Sequence, residues 1–236
     1  MKAMILAAGL GNRMRPLTLY KPKPLLEVGG KPLIVWHLEK LAHLGIKDVV
    51  VNTSWLAEQF PGKLGDGSQW NLNIRYSEEP GSPLETGGGL LNAWNLLDVE
   101  QPMLAVNGDV WTDFDFAQLH LAHDDLAHLV MVPNPMHNPN GDFSLNDGRI
   151  ESESDIPRDT FAGIGIYRYG ILDQWRQTVG DVAGVERDPP RFKLAPLLRK
   201  AMRGNRVSGQ LHDGLWTDVG TPQRLSELDA QIRAAR

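Results

Sequence analysis

The sequence predicts an α/β fold: a Rossmann-like, three-layer, mostly parallel (mixed) sheet with helices on both faces and an antiparallel extension, all within one domain spanning 1–236. Three observations predict it. Apolar strand runs alternate with amphipathic helical stretches over roughly the first 110 residues, and that alternation requires crossovers and a parallel sheet. Predicted strands end in glycine, asparagine or aspartate, the residues suited to the carboxyl edge where open α/β sheets bind ligands. Beyond about residue 127 the strands become short and are separated by tight turns, which is an antiparallel pattern.

The first strand is Lys2 to Ala8. A helix follows over Pro32 to Leu44, with proline at its start, Ile34, Leu38 and Leu41 on one face, and Gly45 as its stop. IKDVVVN, Ile46 to Asn52, is the second strand. Trp55 to Leu64 reads as a helix containing Pro61, Asn73 to Ser77 as a strand, and Leu90 to Leu97 as a helix. Met103 to Val106 is a strand ending in Asn107-Gly108-Asp109. The extension comprises Ala127 to Pro133, Gly141 to Leu145, Arg149 to Glu151 around the turn Asn146-Asp147-Gly148, and Thr160 to Tyr169. Helices over Ala195 to Met202 and Pro222 to Ala234 flank one strand ending GLWTDVGT. No internal repeat or low-complexity tract marks a domain boundary.

Composition narrows the chemistry. With no cysteine, disulfides, zinc-thiolate sites and cysteine nucleophiles are excluded. A formal charge of −5 argues against a general nucleic-acid partner, which needs a basic surface to displace counterions. The opening MKAMILAAGLG is too short for a membrane span and lacks the regions of a signal peptide, so a cytoplasmic location without a membrane partner is expected. His37, His43, His120, His123 and His128 share no metal-ligand spacing, and HLAHDD at 120 to 125 reads as a solvated helix face.

The stretch LAAGLGNRMRPLTLYKPKPLL, residues 6 to 26, is the most informative. Small residues after the first strand let successive amides point at one anion. Arg13, Arg15, Lys21 and Lys23 on one loop would repel one another without a strongly anionic ligand among them. Pro16, Pro22 and Pro24 restrict that loop. The Walker A pattern is absent, because no Gly-Lys-Ser/Thr follows, and the dinucleotide pattern fails because Arg13 follows the second glycine directly. A nicotinamide-dependent oxidoreductase should also carry an acid at the end of the second strand, where Asn52-Thr53-Ser54 stands. Asp109 and Asp218, each beside a glycine at a strand end, are the metal candidates, and magnesium suits one or two carboxylates completed by phosphates and water.

These residues resemble the signature of the sugar-1-phosphate nucleotidyltransferases, L-A-A-G-x-G-x-R followed by Pro-x-Thr and Pro-Lys-Pro. LETGGG at 84 to 89, VNGD at 106 to 109 and WTDVGT at 216 to 221 also fall where that family has them. The resemblance implies attack of a sugar-phosphate oxygen on the α-phosphorus of a nucleoside triphosphate, with release of pyrophosphate. It implies that Ala8, Gly9, Gly11 and Asn12 cradle the triphosphate, that Arg13 holds the departing pyrophosphate, and that Lys23 bridges the α-phosphate and the sugar phosphate. Asp109 and Asp218 would then hold Mg2+. Glu79, Gly87 and Gly88 resemble the base-binding stretch, and Asn107, Gly141, Asp142, Glu153 and Gly163 are the expected sugar contacts.

The short length, GDF at 141 to 143 and FAGIGIY at 161 to 167 resemble family members that transfer uridylyl groups from UTP to N-acetylmuramate α-1-phosphate in peptidoglycan recycling. Two alternatives stand beside this: guanylyl transfer to mannose or heptose 1-phosphate, and an inactive nucleotide-sugar-binding regulatory subunit. The presence of Arg13, Lys23, Asp109 and Asp218 favours an enzyme. One departure concerns the sugar. Many relatives carry Glu-Lys-Pro after the hairpin, where this chain reads ESESDIPRD, so Arg158 or Lys193 is expected to replace the missing lysine. A substrate with an additional carboxylate would be met by one of Arg149, Arg158, Arg168 or Lys193.

Overall fold

A computed structural model describes residues 1–97 and 100–235. The strands are β1 (Lys2–Leu6), β2 (Glu27–Val28), β3 (Lys31–Pro32), β4 (Asp48–Thr53), β5 (Asn73–Glu78), β6 (Met103–Asn107), β7 (Val110–Thr112), β8 (Ala127–Val132), β9 (Ser144–Asn146), β10 (Arg149–Glu151), β11 (Thr160–Tyr167), β12 (Val207–Leu211) and β13 (Trp216–Asp218). The α-helices are α1 (Leu33–His43), α2 (Gln59–Leu64), α3 (Glu85–Trp94), α4 (Trp175–Val179), α5 (Ala195–Arg203) and α6 (Pro222–Ala234). By contact the chain forms two compact units, the first of Lys2–Pro83, Val106–Phe116 and Leu215–Arg236, the second of Met1, Leu84–Ala105 and Ala117–Gly214.

In the first unit β4 pairs in parallel with β1, from Ala3↔Val49 to Leu6↔Asn52, and with β5, from Asp48↔Asn73 to Thr53↔Glu78. Ala3, Met4 and Ile5, like Val49, Val50 and Val51, are fully buried in succession. Successive side chains of a strand point to opposite faces, so these strands are covered on both. Helix α1 ends as its sequence predicts. Gly45, at φ 78°, donates to the Ala42 carbonyl and Ile46 to that of Leu41, the paired bonds of a Schellman motif. Helix α6 begins at Pro222 behind Thr221, whose side chain accepts the Arg224 amide. Met14, Leu26, Val28 and Leu33 bury together with Val219, Leu228 and Ile232. That cluster anchors the opening loop at Met14 in its middle and Leu26 at its far end, since burying a side chain such as Met14 is worth about 2 kcal/mol.

In the second unit β8 is buried along its length and pairs antiparallel with β11 and parallel with β12. β10 pairs antiparallel with β12 and with β9, and the β9–β10 turn carries positive φ at Asp147 and Gly148, the geometry of a type I′ hairpin. The antiparallel extension is therefore present, with one parallel pair within it.

Several predicted boundaries shift for local reasons. The helix expected from Trp55 starts only at Gln59. Leu56 has φ 51°, and Pro61, which lacks an amide hydrogen, is tolerated only in the first turn. The helix expected from Leu90 starts at Glu85 and takes in Gly87, Gly88 and Gly89. The strand expected from Gly141 starts at Ser144, because Gly141 turns at φ 62° and Asp142 accepts the Phe161 amide. The single strand ending GLWTDVGT is two, β12 and β13. The 120 to 125 stretch is not helical, and Asp125 is buried where Arg149 grips its carboxylate. Among the described residues no helix is long and apolar enough to cross a membrane.

Candidate active site

The loop after β1 begins at a hydrogen-bonded chain that runs through Asn52 to Glu79. Asn52, at the end of β4, accepts the Ala7 amide at 2.6 Å through Oδ1 and donates through Nδ2 to Glu79 Oε1 at 2.7 Å. All three residues are buried. The sequence read Asn52 only as the absence of an acid; it orients the first amide of the loop, a role visible only once β1, β4 and β5 are paired. Glu79, expected at the base, lies buried in this network, and its amide donates to the Thr53 carbonyl. Gly11 occupies the left-handed region at φ 62°, and a Cβ there would lie 2.8 Å from the Thr18 methyl. Thr18 in turn donates to the Gly11 carbonyl at 2.7 Å, which locks the turn.

The loop walls a cavity of about 290 Å3 lined by Gly9, Gly11, Arg13, Lys23, Asn107, Asp109 and Gly220, with Leu6, Ala7, Met14 and Pro24. Ala8 and Asn12 flank the lining glycines in sequence. Of the loop's four cations two line it, while Arg15 and Lys21 are exposed elsewhere. Arg13 is exposed and has no ion pair among the described residues; Lys23 is 9% exposed and its ammonium lies 2.5 Å from Asp109. A buried ammonium needs a partner, and Asp109 supplies it.

Asp109 is placed by contacts on each side. The Gly108 amide donates to the Leu6 carbonyl at 2.8 Å, and a Cβ at Gly108 would lie 3.1 Å from that oxygen. Val219 donates to the Asp109 carbonyl at 2.7 Å, and Val110 is register partner of Asp218. The two candidate metal carboxylates thus sit on adjoining strand ends, although Gly220 rather than Asp218 lines the cavity. The Asp218 carboxylate is held by the Arg224 guanidinium, which crosses so close over Gly220 that a Cβ there would meet it at 2.1 Å. Behind this turn His37, 1% exposed, bonds the Val110 carbonyl at 2.8 Å through Nε2, which must therefore carry the hydrogen. Its buried Nδ1 has no hydrogen-bond partner among the described residues, and burial pushes its pKa down to about 4.

The remaining expected site residues belong to the second unit. Gly87 and Gly88 both donate to the Phe192 carbonyl, at 3.0 and 3.1 Å, so their amides are engaged within the protein. A Cβ on Gly87 would lie 2.6 Å from the Phe192 ring, and one on Gly88 2.3 Å from the Pro190 carbonyl oxygen. Close packing accounts for both glycines. Gly141 presses on the Arg158 backbone, and Gly163, buried at φ 73°, lies in the register shift between Phe161 and Gly165. Glu153 is exposed. Asp142 lines a second cavity of about 290 Å3, together with Thr86, Lys193 and Arg199.

Residues 2–235 match the nucleotidyl transferase family. The chain is 52% identical, over 98% of its length and 97% of the relative's, to N-acetylmuramate alpha-1-phosphate uridylyltransferase of Neisseria meningitidis serogroup B. It is 34% identical to mannose-1-phosphate guanylyltransferase of Mycobacterium tuberculosis, over 94% of this chain and 61% of that protein. In fold it resembles an assigned glucose-1-phosphate thymidylyltransferase from Bacillus anthracis, solved in complex with a sucrose, at a TM-score of 0.80 and 21% identity over 99% of this chain and 95% of that one. The fold class is thus a mixed, mostly parallel α/β sheet with helices, as in that structure.

Proposed function

Because the chain belongs to the nucleotidyl transferase family, we propose that it transfers a uridylyl group from UTP to N-acetylmuramate α-1-phosphate, forming a nucleotide sugar and pyrophosphate. The observation that carries this reading is the 52% identity to the Neisseria uridylyltransferase across nearly the full length of both chains. It is supported by the cavity that gathers Gly9, Gly11, Arg13, Lys23 and Asp109.

In the proposed reaction a phosphate oxygen of the sugar attacks the α-phosphorus, the bond from that phosphorus to the bridging oxygen breaks, and pyrophosphate leaves with the electron pair. Such displacement requires positioning and charge neutralisation and no protein nucleophile. The Gly9 to Asn12 backbone receives the triphosphate, Arg13 neutralises the departing pyrophosphate, and Lys23 takes charge from both the α-phosphate and the incoming sugar phosphate. The donor set also fits magnesium. Asp109 and Asp218 are hard oxygen ligands on adjoining strand ends. Substrate phosphates and water would complete the shell, as magnesium prefers. When bound, the metal supplies further neutralisation of the phosphate oxygens. The Glu85 to Gly88 stretch and the Gly141–Asp142 turn are proposed to meet base and sugar, in one nucleotidyltransferase domain acting in the cytoplasm.

Pyrophosphate release measured for UTP, GTP and dTTP against N-acetylmuramate, N-acetylglucosamine, glucose and mannose 1-phosphates tests the reading. UTP with N-acetylmuramate 1-phosphate is expected to give the highest kcat/KM. A maximum at GTP with mannose 1-phosphate would replace it with the guanylyl reading.

A further inference from the structure

Two cations that are unpaired among the described residues line one cavity of the second unit, in a setting that a short branched carboxylate would satisfy. Of the four cations expected to meet an additional carboxylate, the structure commits two elsewhere. Arg149 forks onto Asp125 at 2.9 and 3.1 Å and donates to Asn205 at 2.9 Å. Arg168 donates to the carbonyls of Asp125 and Ala122 at 3.0 and 3.2 Å. Arg158 is exposed, reaches the Ser152 carbonyl at 3.4 Å and does not line the cavity. Lys193 does line it, and Arg199, which the sequence did not single out, lines it too.

The acids at the same cavity already have partners. Asp142 accepts the Phe161 amide at 2.9 Å, and Glu85 is paired with Arg191 at 2.8 Å. No hydrogen bond or ion pair is recorded for Lys193 or Arg199 among the described residues. Apart from Thr86 the rest of the lining is apolar, with Phe143 and Leu198 buried and Phe161 half-buried. The cavity also adjoins two stretches with proposed substrate roles, since Thr86 lies within LETGGG and Asp142 and Phe143 within GDF.

We propose that this cavity is a specificity subsite for a carboxylate borne by the sugar of the sugar phosphate, with Lys193 and Arg199 receiving the charge and Phe143, Phe161 and Leu198 the alkyl branch. The inference rests on the proposed reading of the function and deepens it. A lactyl ether has this combination of a carboxylate and a methyl branch, and a free hydroxyl at the same position has neither. Charge-assisted bonds from a planar guanidinium and an ammonium discriminate between them.

The test is the ratio of kcat/KM for N-acetylmuramate α-1-phosphate over N-acetylglucosamine α-1-phosphate, two substrates that differ by the lactyl ether alone. In Lys193→Ala and Arg199→Ala that ratio is expected to fall about tenfold each, chiefly through a higher KM for the carboxylated substrate, because exposed cations contribute modestly one at a time. Lys193→Arg and Arg199→Lys are expected to restore most of it, which a purely structural role would not produce. An unchanged ratio in a folded Lys193→Ala/Arg199→Ala double variant would overturn the subsite and leave the uridylyltransferase reading standing. A wild-type ratio near one would overturn both.

Discussion

Lys23 shows how far a single side chain can be read from sequence. Its place in a Pro-Lys-Pro run marked it as a phosphate ligand, and the fold buries it on the cavity wall. Its pairing with Asp109, 86 residues away, was not legible, because it depends on Gly108 docking against Leu6. The same applies to Asn52, whose partners Ala7 and Glu79 lie 45 and 27 residues away. Lys23→Ala should therefore lower kcat by about 10²-fold or more, the usual cost of removing a donor aimed at developing charge. Steady-state turnover beside a thermal melt checks it, and a change in melting temperature alone would make Lys23 structural. His37 supplies a second prediction. Folded His37 stays neutral to about pH 4, while in the unfolded chain it takes a proton near its ordinary 6.5. Stability present above pH 6.5 is thus lost as the pH falls toward 4, by on the order of 3 kcal/mol over the whole window. Chemical denaturation across that range should show the loss in the wild type and a shallower slope in His37→Gln, which retains a donor for the Val110 carbonyl.

At the scale of elements, those with strong local signals were legible. α1 and α6 follow their apolar spacing and caps, and β1, β4 and β5 their runs of buried aliphatics. The start of α3 was misread because its glycines are set by what they pack against. The helix expected from Leu90 takes in Gly87, Gly88 and Gly89 as well, because only glycine lets this turn pack on Phe192 and the Pro190 carbonyl. Gly88→Ala tests that packing. A Cβ facing a backbone oxygen at 2.3 Å cannot be relieved by a rotamer change, so a loss of roughly 1–3 kcal/mol is expected, the range for overpacking. Urea unfolding measures it, and an unchanged midpoint would show that the helix shifts freely.

Over the whole chain, residues distant in sequence converge within each unit. The opening loop, the end of β6 and the WTDVGT turn belong to the first, and LETGGG, the β9–β10 hairpin and the FAGIGIY strand to the second. The proposed phosphate chemistry is readable in the sequence because one continuous stretch carries most of its groups. The proposed sugar subsite is less so, because Lys193 precedes α5 and Arg199 lies within it without a motif of their own. Substitutions at Arg13 or Lys23 should depress kcat with every sugar phosphate accepted, whereas those at Lys193 or Arg199 should alter which sugar is preferred; kcat/KM profiles for the two sets separate the effects.

Phosphorus NMR of the protein with UTP, magnesium and N-acetylmuramate α-1-phosphate follows the proposed transfer itself. Two coupled resonances of a new diphosphate diester are expected to grow in step with one pyrophosphate signal, as one phosphoanhydride bond forms for each that breaks. Orthophosphate alone, or an inert mixture under conditions in which GTP and mannose 1-phosphate react, would contradict it.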